Sequence, residues 1–259
     1  MPASVGRGDL TSGSDRLDSV EIKVTFSGAG AAAATWALAP DTGGARRRVY
    51  FCEALARSTA PGQLPLLDAG LILRLRAGSG RGGAATAELR PCRRSRLSER
   101  WLRFRERGPD SFHLADAWAG DRRVLSATLV SDCGRTAVEA AATGTKPLEL
   151  VFSDRQRAFL TECADIDVGF GSLDVLGPVH LVRWRGVRLD HHEVTLERWT
   201  LGGDQSLEWL EVSKRVAPEG AEVVQASLTA LLKGKGLEPD LGSGIRVRRV
   251  LEELVAKGG

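Results

Sequence analysis

The chain lacks the features that assign a protein class most quickly. No apolar run approaches the roughly 18 residues of a membrane span, so no membrane partner is expected. The opening residues carry no apolar stretch of the kind a secretory signal needs. The four cysteines, at 52, 92, 133 and 163, form no CxxC pair. That excludes the common thiolate metal and redox motifs, and scattered single thiols suit a reducing, cytoplasmic setting. There is no HExxH motif and no Ser-His-Asp arrangement. The Gly-rich "GSGRGG" lacks the GxxxxGK[ST] pattern of a phosphate-binding loop and reads as a turn. His191 and His192 fall at an expected hairpin turn, with no further ligands spaced to complete a metal site. Trp101, Trp118, Trp184, Trp199 and Trp209 fit core or barrel-rim packing better than base stacking, and nucleic acid is not expected as a partner. No internal repeat is evident.

Lysine is also scarce: thirty arginines stand against six lysines, and many of the arginines cluster between Arg74 and Arg107. The guanidinium fork binds carboxylate and phosphate in pairs, which points to a phosphate-bearing ligand. Arg-rich, Ala/Gly-rich chains also arise from GC-rich coding, so composition alone leaves both explanations standing. Apolar residues make up 42% of the 259, enough for a substantial core. Residues 1–16 are Gly/Ser-rich without apolar periodicity and are expected to form a disordered arm. The remainder, 17–259, is expected to be a single domain.

The strongest local signal is alternation. In "DSVEIKVTF", Ser19, Glu21, Lys23 and Thr25 share one face, and Val20, Ile22, Val24 and Phe26 share the other. "LILRLRA" puts Arg74 and Arg76 together, "ATAELRP" aligns Thr86, Glu88 and Arg90, and "RVLSATLV" aligns Ser126 and Thr128. "HLVRWRG" pairs Arg183 with Arg185, "EVTLERWTL" aligns Glu197 with Trp199, and "LEWLEVSK" aligns Trp209, Glu211 and Ser213. Period-2 patterning marks half-buried strands, and "GSGRGG" and "LGGDQS" mark hairpin turns, so the chain should be mostly antiparallel sheet. Helices are expected over "SDRQRAFLTECA" with Ser153 or Asp154 as N-cap, over "PEGAEVVQASLTALLKGKG", and over "SGIRVRRVLEELVAKGG". "PGQLPLLDAG" reads as a loop or short helix. The polar faces admit two readings. They face water from an outer sheet, or they line the charged interior of a closed barrel whose apolar outside is partly covered by helices. Periodicity does not decide between them.

Order and spacing add a resemblance. "SVEIKVTF" stands where the CYTH proteins, the triphosphate tunnel metalloenzymes, have an E-x-E-x-K strand. "RRVYFCEA" followed by "LLDAGLILRLRA", then "AELRPC", "LSATL", "FSDRQRAFL", "VLGPVHLVRW" and "LERWTL…LEWLEVSKRV" resemble successive pieces of that family, from about Leu17 to Lys257. The resemblance implies an α+β fold: an antiparallel closed β-barrel, or tunnel, of about eight strands with flanking helices. It implies a small, triphosphate-bearing anion as ligand and Mg²⁺ or Mn²⁺ as cofactor. Activities in the family include triphosphatases of inorganic triphosphate, thiamine triphosphate and RNA ends, adenylyl cyclases and a polyphosphate polymerase. Carried onto this sequence, Glu21, Glu197 and Glu211 would hold the metal and serve catalysis. Lys23, Arg74, Arg76, Arg90, Arg183 and Arg185 would hold the phosphates.

The departures from the family pattern are as specific. Ser19 replaces the first glutamate of E-x-E-x-K, Glu88 replaces a phosphate-binding lysine, and Ala115 and Ala117 take inward positions where acidic residues are usual. "GIRVRR" replaces a Thr-Lys-Thr stretch near the C-terminus. A carboxylate at 88 inside an anion tunnel requires an arginine such as Arg76 or Arg90 to neutralise it. Two functions follow. One is metal-dependent hydrolysis of a triphosphate; the other is a catalytically degenerate module that binds a phosphorylated or other anionic ligand.

Overall fold

The computed structural model describes residues 16–40, 43–202, 207–240 and 246–258. The expected arm therefore lies outside the described residues, except for Arg16. That residue is buried rather than free. Its guanidinium pairs with Asp18 at 2.6 Å and donates to the carbonyls of Trp101, Leu102, Phe104 and Phe112.

Ten strands are described: β1 (Ser19–Ser27), β2 (Ala45–Glu53), β3 (Leu71–Gly78), β4 (Gly83–Leu89), β5 (Glu106–Arg107), β6 (Asp110–Ala119), β7 (Arg122–Asp132), β8 (Asp174–Leu189), β9 (His192–Leu201) and β10 (Leu207–Val216). Nine of them form a circuit in the order β1-β10-β9-β8-β2-β3-β4-β7-β6, and β6 pairs back onto β1, leaving β5 as a short addition to β6. The barrel is thus closed, with nine strands rather than about eight. An odd circuit cannot alternate direction throughout, so at least one neighbouring pair must be parallel. That pair is β1 with β6, in register from Ser19 opposite Ala115 to Ile22 opposite Trp118.

The helices are α1 (Gly28–Leu38), α2 (Pro65–Asp68), α3 (Glu99–Arg103), α4 (Arg135–Ala142), α5 (Asp154–Cys163), α6 (Ala221–Gly234) and α7 (Arg246–Gly258). At α5 the expected cap is present in full. The Ser153 hydroxyl accepts from the Gln156 amide N–H, and the Gln156 side chain accepts from the Ser153 N–H. The buried Gln156 side-chain amide then donates to the carbonyls of Ala85 and Leu129, fixing α5 onto the barrel wall. The helix α1 carries no apolar stripe; its "GAGAAAATWAL" is alanine-rich and forms a helix through propensity, with Ala31, Ala34 and Leu38 against the barrel. The "GSGRGG" turn is sterically demanding, because a Cβ on Gly83 would lie 2.4 Å from the Gly134 carbonyl oxygen.

Alternation sorts the side chains into three apolar clusters. Outward-facing Leu73, Leu75, Phe112 and Leu129 pack with Trp101, Val138 and Phe159 under α3, α4 and α5. Outward-facing Ile22, Val24, Leu196, Leu210 and Val212 pack under α1 and α6. The third cluster sits at one end of the barrel. Phe51, Ile72, Leu181, Trp199 and Trp209 share their faces with the charged residues of the interior, and Val250, Leu251 and Leu254 of α7 pack onto them. So α1 and α3–α6 cover the outside as expected, whereas α7 seats at an end of the tunnel. Among the described residues, no helix is long and apolar enough to cross a membrane.

Candidate functional site

The inward faces converge on one cavity of about 440 Å³. Glu21 and Lys23 reach it from β1, Arg74 and Arg76 from β3, Glu88 from β4, Arg183 from β8, Glu197 from β9 and Glu211 from β10, with Arg90 following β4. Thr86, Ser126, Thr128 and Ser213 add hydroxyls. Arg185 does not join them. It falls in the bulge that interrupts the β8–β9 register between Trp184 and Val187, and it is exposed. The bulge breaks the alternation that paired it with Arg183. Ala115 lines the cavity and Asp116 does not. His192 lies away from the cavity, at the start of β9, where its Nε2 is 3.1 Å from the Ser227 hydroxyl of α6.

Several lining residues were not among those expected. Arg122 and Arg215 come from the ends of β7 and β10, and Arg246 and Arg248 from α7. Arg215 continues the Glu211–Ser213 alternation and was legible on that ground. Arg246 and Arg248 belong to "GIRVRR", and only the docking of α7 brings them to the barrel. With these included, nine Lys and Arg side chains face four carboxylates in one cavity among the described residues.

Each carboxylate is bound by a cation. Glu88 is held by Arg74, with Arg90 3.9 Å away, so the neutralising arginine is mainly Arg74 rather than Arg76. Burial raises the Glu88 pKa, but Arg74, Arg90 and Lys23 outweigh it and hold the carboxyl below its ordinary range. Lys23 lies between two carboxylates, 3.3 Å from Glu21 and 3.1 Å from Glu211. Burial disfavours its charge, yet the two carboxylates keep its pKa raised. Glu211 also receives Arg246 at 3.2 Å. Burial would push Glu211 up, but Lys23 and Arg246 bring it down to about 2. Glu197, directly opposite Glu211 in the β9–β10 register, is drawn away by Arg183 at 3.1 Å.

Arg76 is different. Among the described residues it makes no ion pair or hydrogen bond, and its buried Nε lacks a partner. Burial, and then the like charge of Arg74, lower its pKa to about 10, with only partial relief from Glu197. A desolvated guanidinium without a counter-ion is costly and favours an incoming anion.

Glu21, Glu197 and Glu211 do not fit a metal as arranged. Each is engaged by a lysine or arginine, and among the described residues no three acidic, His or Cys side chains form a group that could hold an ion. All four cysteines are free thiols outside the cavity. Burial raises the pKa of Cys52 and Cys163 to about 12, which keeps them protonated and unreactive. Trp199 and Trp209 are stacked, 5.6 Å between centroids and 6° between planes, at the end of the cavity that α7 covers.

No family model matches the chain, and no curated protein matches it. Solved structures do. A protein from Hippeastrum, described as an adenylyl cyclase candidate with a dominant triphosphatase activity, superposes with a TM-score of 0.54 at 18% identity, over 89% of this chain and 95% of that one. A Bacillus halodurans adenylate cyclase candidate gives 0.53 at 10% identity, over 89% and 96%. At such identities the likeness concerns the fold, and it agrees with the closed barrel and its charged lumen: this chain has the triphosphate-tunnel fold of the CYTH proteins.

Proposed function

We propose that the barrel is a binding site for a small polyphosphorylated anion. The observation that carries this is Arg76, a half-buried side chain whose buried Nε has no hydrogen-bond partner and which makes no ion pair among the described residues, in a cavity where the described cations outnumber the described carboxylates nine to four. Arg74 and Arg183 stand in the same cavity: Arg74 has a buried Nε without a hydrogen-bond partner while its terminal nitrogen holds Glu88, and the Nε of Arg183 is the atom that faces Glu197, at 3.1 Å. An entering phosphate chain would supply acceptors to all three guanidinia. Charge-assisted bonds of this kind are among the stronger polar contacts, at about 1.5–3 kcal/mol each.

A second reading is hydrolysis of a triphosphate with Mg²⁺ or Mn²⁺. The likeness of fold to the Hippeastrum protein with triphosphatase activity favours it. The ion pairing of Glu21, Glu197 and Glu211 weighs against it, since every one would first have to leave a cation. Two measurements separate the readings: calorimetric titration with tripolyphosphate, and phosphate release from tripolyphosphate and nucleoside triphosphates with Mg²⁺ or Mn²⁺. Binding without turnover supports the binding module. Metal-dependent turnover supports the hydrolase. Neither binding nor turnover rejects both.

A further inference from the structure

The lumen contains the elements of a cation site already filled from within. Glu197 and Glu211 are directly opposite on neighbouring strands, an arrangement that repels unless a positive charge intervenes. Glu21, on β1, lines the same cavity and shares Lys23 with Glu211. The positive charges that intervene are side chains. The Lys23 ammonium touches Glu21 and Glu211, Arg183 takes Glu197, and Arg246 takes the second oxygen of Glu211.

Arg246 is the informative member. It lies at the start of the described part of α7. It is held by the way α7 docks. Val250, Leu251 and Leu254 are buried against the barrel's apolar end, and Arg248 pairs with Asp68 of α2. The docking presents the Arg246 side chain to Glu211, with the side chains of both largely buried. The residue occurs in the segment "GIRVRR", which departs from the family pattern.

We infer that this chain holds its phosphorylated ligand without a divalent cation, because Lys23 and Arg246 occupy the carboxylates that a metal would need. The inference rests on the proposed anion-binding function and adds to it the mode of binding. The ligand class is then a free polyphosphate or phosphoanhydride end, not its magnesium complex. Positive charge reaches the phosphates from guanidinium and ammonium groups alone.

The test is calorimetry on the full chain with tripolyphosphate in excess EDTA, together with Mn²⁺ titration of ligand-free protein followed by electron paramagnetic resonance. The wild type should bind tripolyphosphate in EDTA. It should take up no more Mn²⁺ than Glu211→Gln does. Arg246→Ala should weaken tripolyphosphate binding in EDTA by about tenfold or more, because it removes one cation and uncovers the Glu211 charge. Adding Glu211→Gln to Arg246→Ala should recover part of that loss. Tripolyphosphate binding that appears only with Mn²⁺ overturns the inference while leaving the anion-binding function in place. Absence of binding in both conditions overturns that function itself. Wild-type affinity in Arg246→Ala, or Mn²⁺ uptake by wild type that Glu211→Gln abolishes, also overturns the inference. If Arg246→Ala does not fold, the comparison of wild type with Glu211→Gln still decides.

Discussion

Replacing Arg76 by methionine should make the empty protein more stable and the ligand-binding protein worse. Arg76 sits in the lumen without an ion-pair or hydrogen-bond partner among the described residues, and its pKa is lowered to about 10. A depression of that size corresponds to about 3 kcal/mol of disfavour for the charged form. Solvent in the open part of the cavity reduces it, so a gain of about 1–2 kcal/mol is the reasonable expectation. The sign follows from the direction of the shift. The folded state lowers the affinity of this group for its proton, so the destabilisation is present at neutral pH. It fades only as pH rises through the folded pKa. Methionine keeps much of the side-chain volume, so no large cavity is introduced. Urea denaturation should show a raised midpoint with an unchanged slope. In the same protein, tripolyphosphate affinity should drop by about ten- to a hundredfold, the loss of one charge-assisted contact. Ligand should therefore raise the midpoint of wild type far more than that of the variant. A variant that is less stable than wild type and still binds tripolyphosphate equally would refute this reasoning.

Other consequences follow from the same lumen. Glu88→Gln should release Arg74 to an anion, raising tripolyphosphate affinity several-fold. It should also cost about 2–4 kcal/mol of stability in urea titrations, because it breaks a buried pair. Glu88→Lys should raise affinity further; weaker binding in that variant would place position 88 away from the ligand. The depressed pKa of Glu211 makes stability acid-sensitive in a defined window. Its contribution, about 3 kcal/mol at most, is complete above pH 4.5 and lost progressively as pH falls towards 2, and Glu211→Gln should flatten that part of the stability profile. Leu251→Ala, in the cluster where α7 meets Trp199 and Trp209, should destabilise by about 2–4 kcal/mol, read from the denaturation midpoint.

What was legible in the sequence was face, and what was not was closure and docking. The alternation of "LILRLRA" and "DSVEIKVTF" assigns Arg74, Arg76, Glu21 and Lys23 to one side of their strands, and all four line the cavity. Arg185 fails for a local reason, since a bulge shifts the face without any mark in composition. The ninth strand and the parallel β1–β6 contact are long-range pairings that no window of residues contains. The helix α1 was missed because alanine gives propensity without a stripe. For α7 the stripe was readable, but not what it packs on. Its apolar face meets inward-facing Trp199 and Trp209, so Arg246 enters the lumen from an element that reads like an outer helix.

A crystal structure of the full chain grown with tripolyphosphate in the presence of EDTA tests the central claim most directly. The expected result is a phosphate chain inside the barrel, with its oxygens in hydrogen-bond reach of the Arg76 guanidinium and of Arg74 or Arg183. Tripolyphosphate ordered only on the outer surface, with Arg76 still unpartnered, would contradict it.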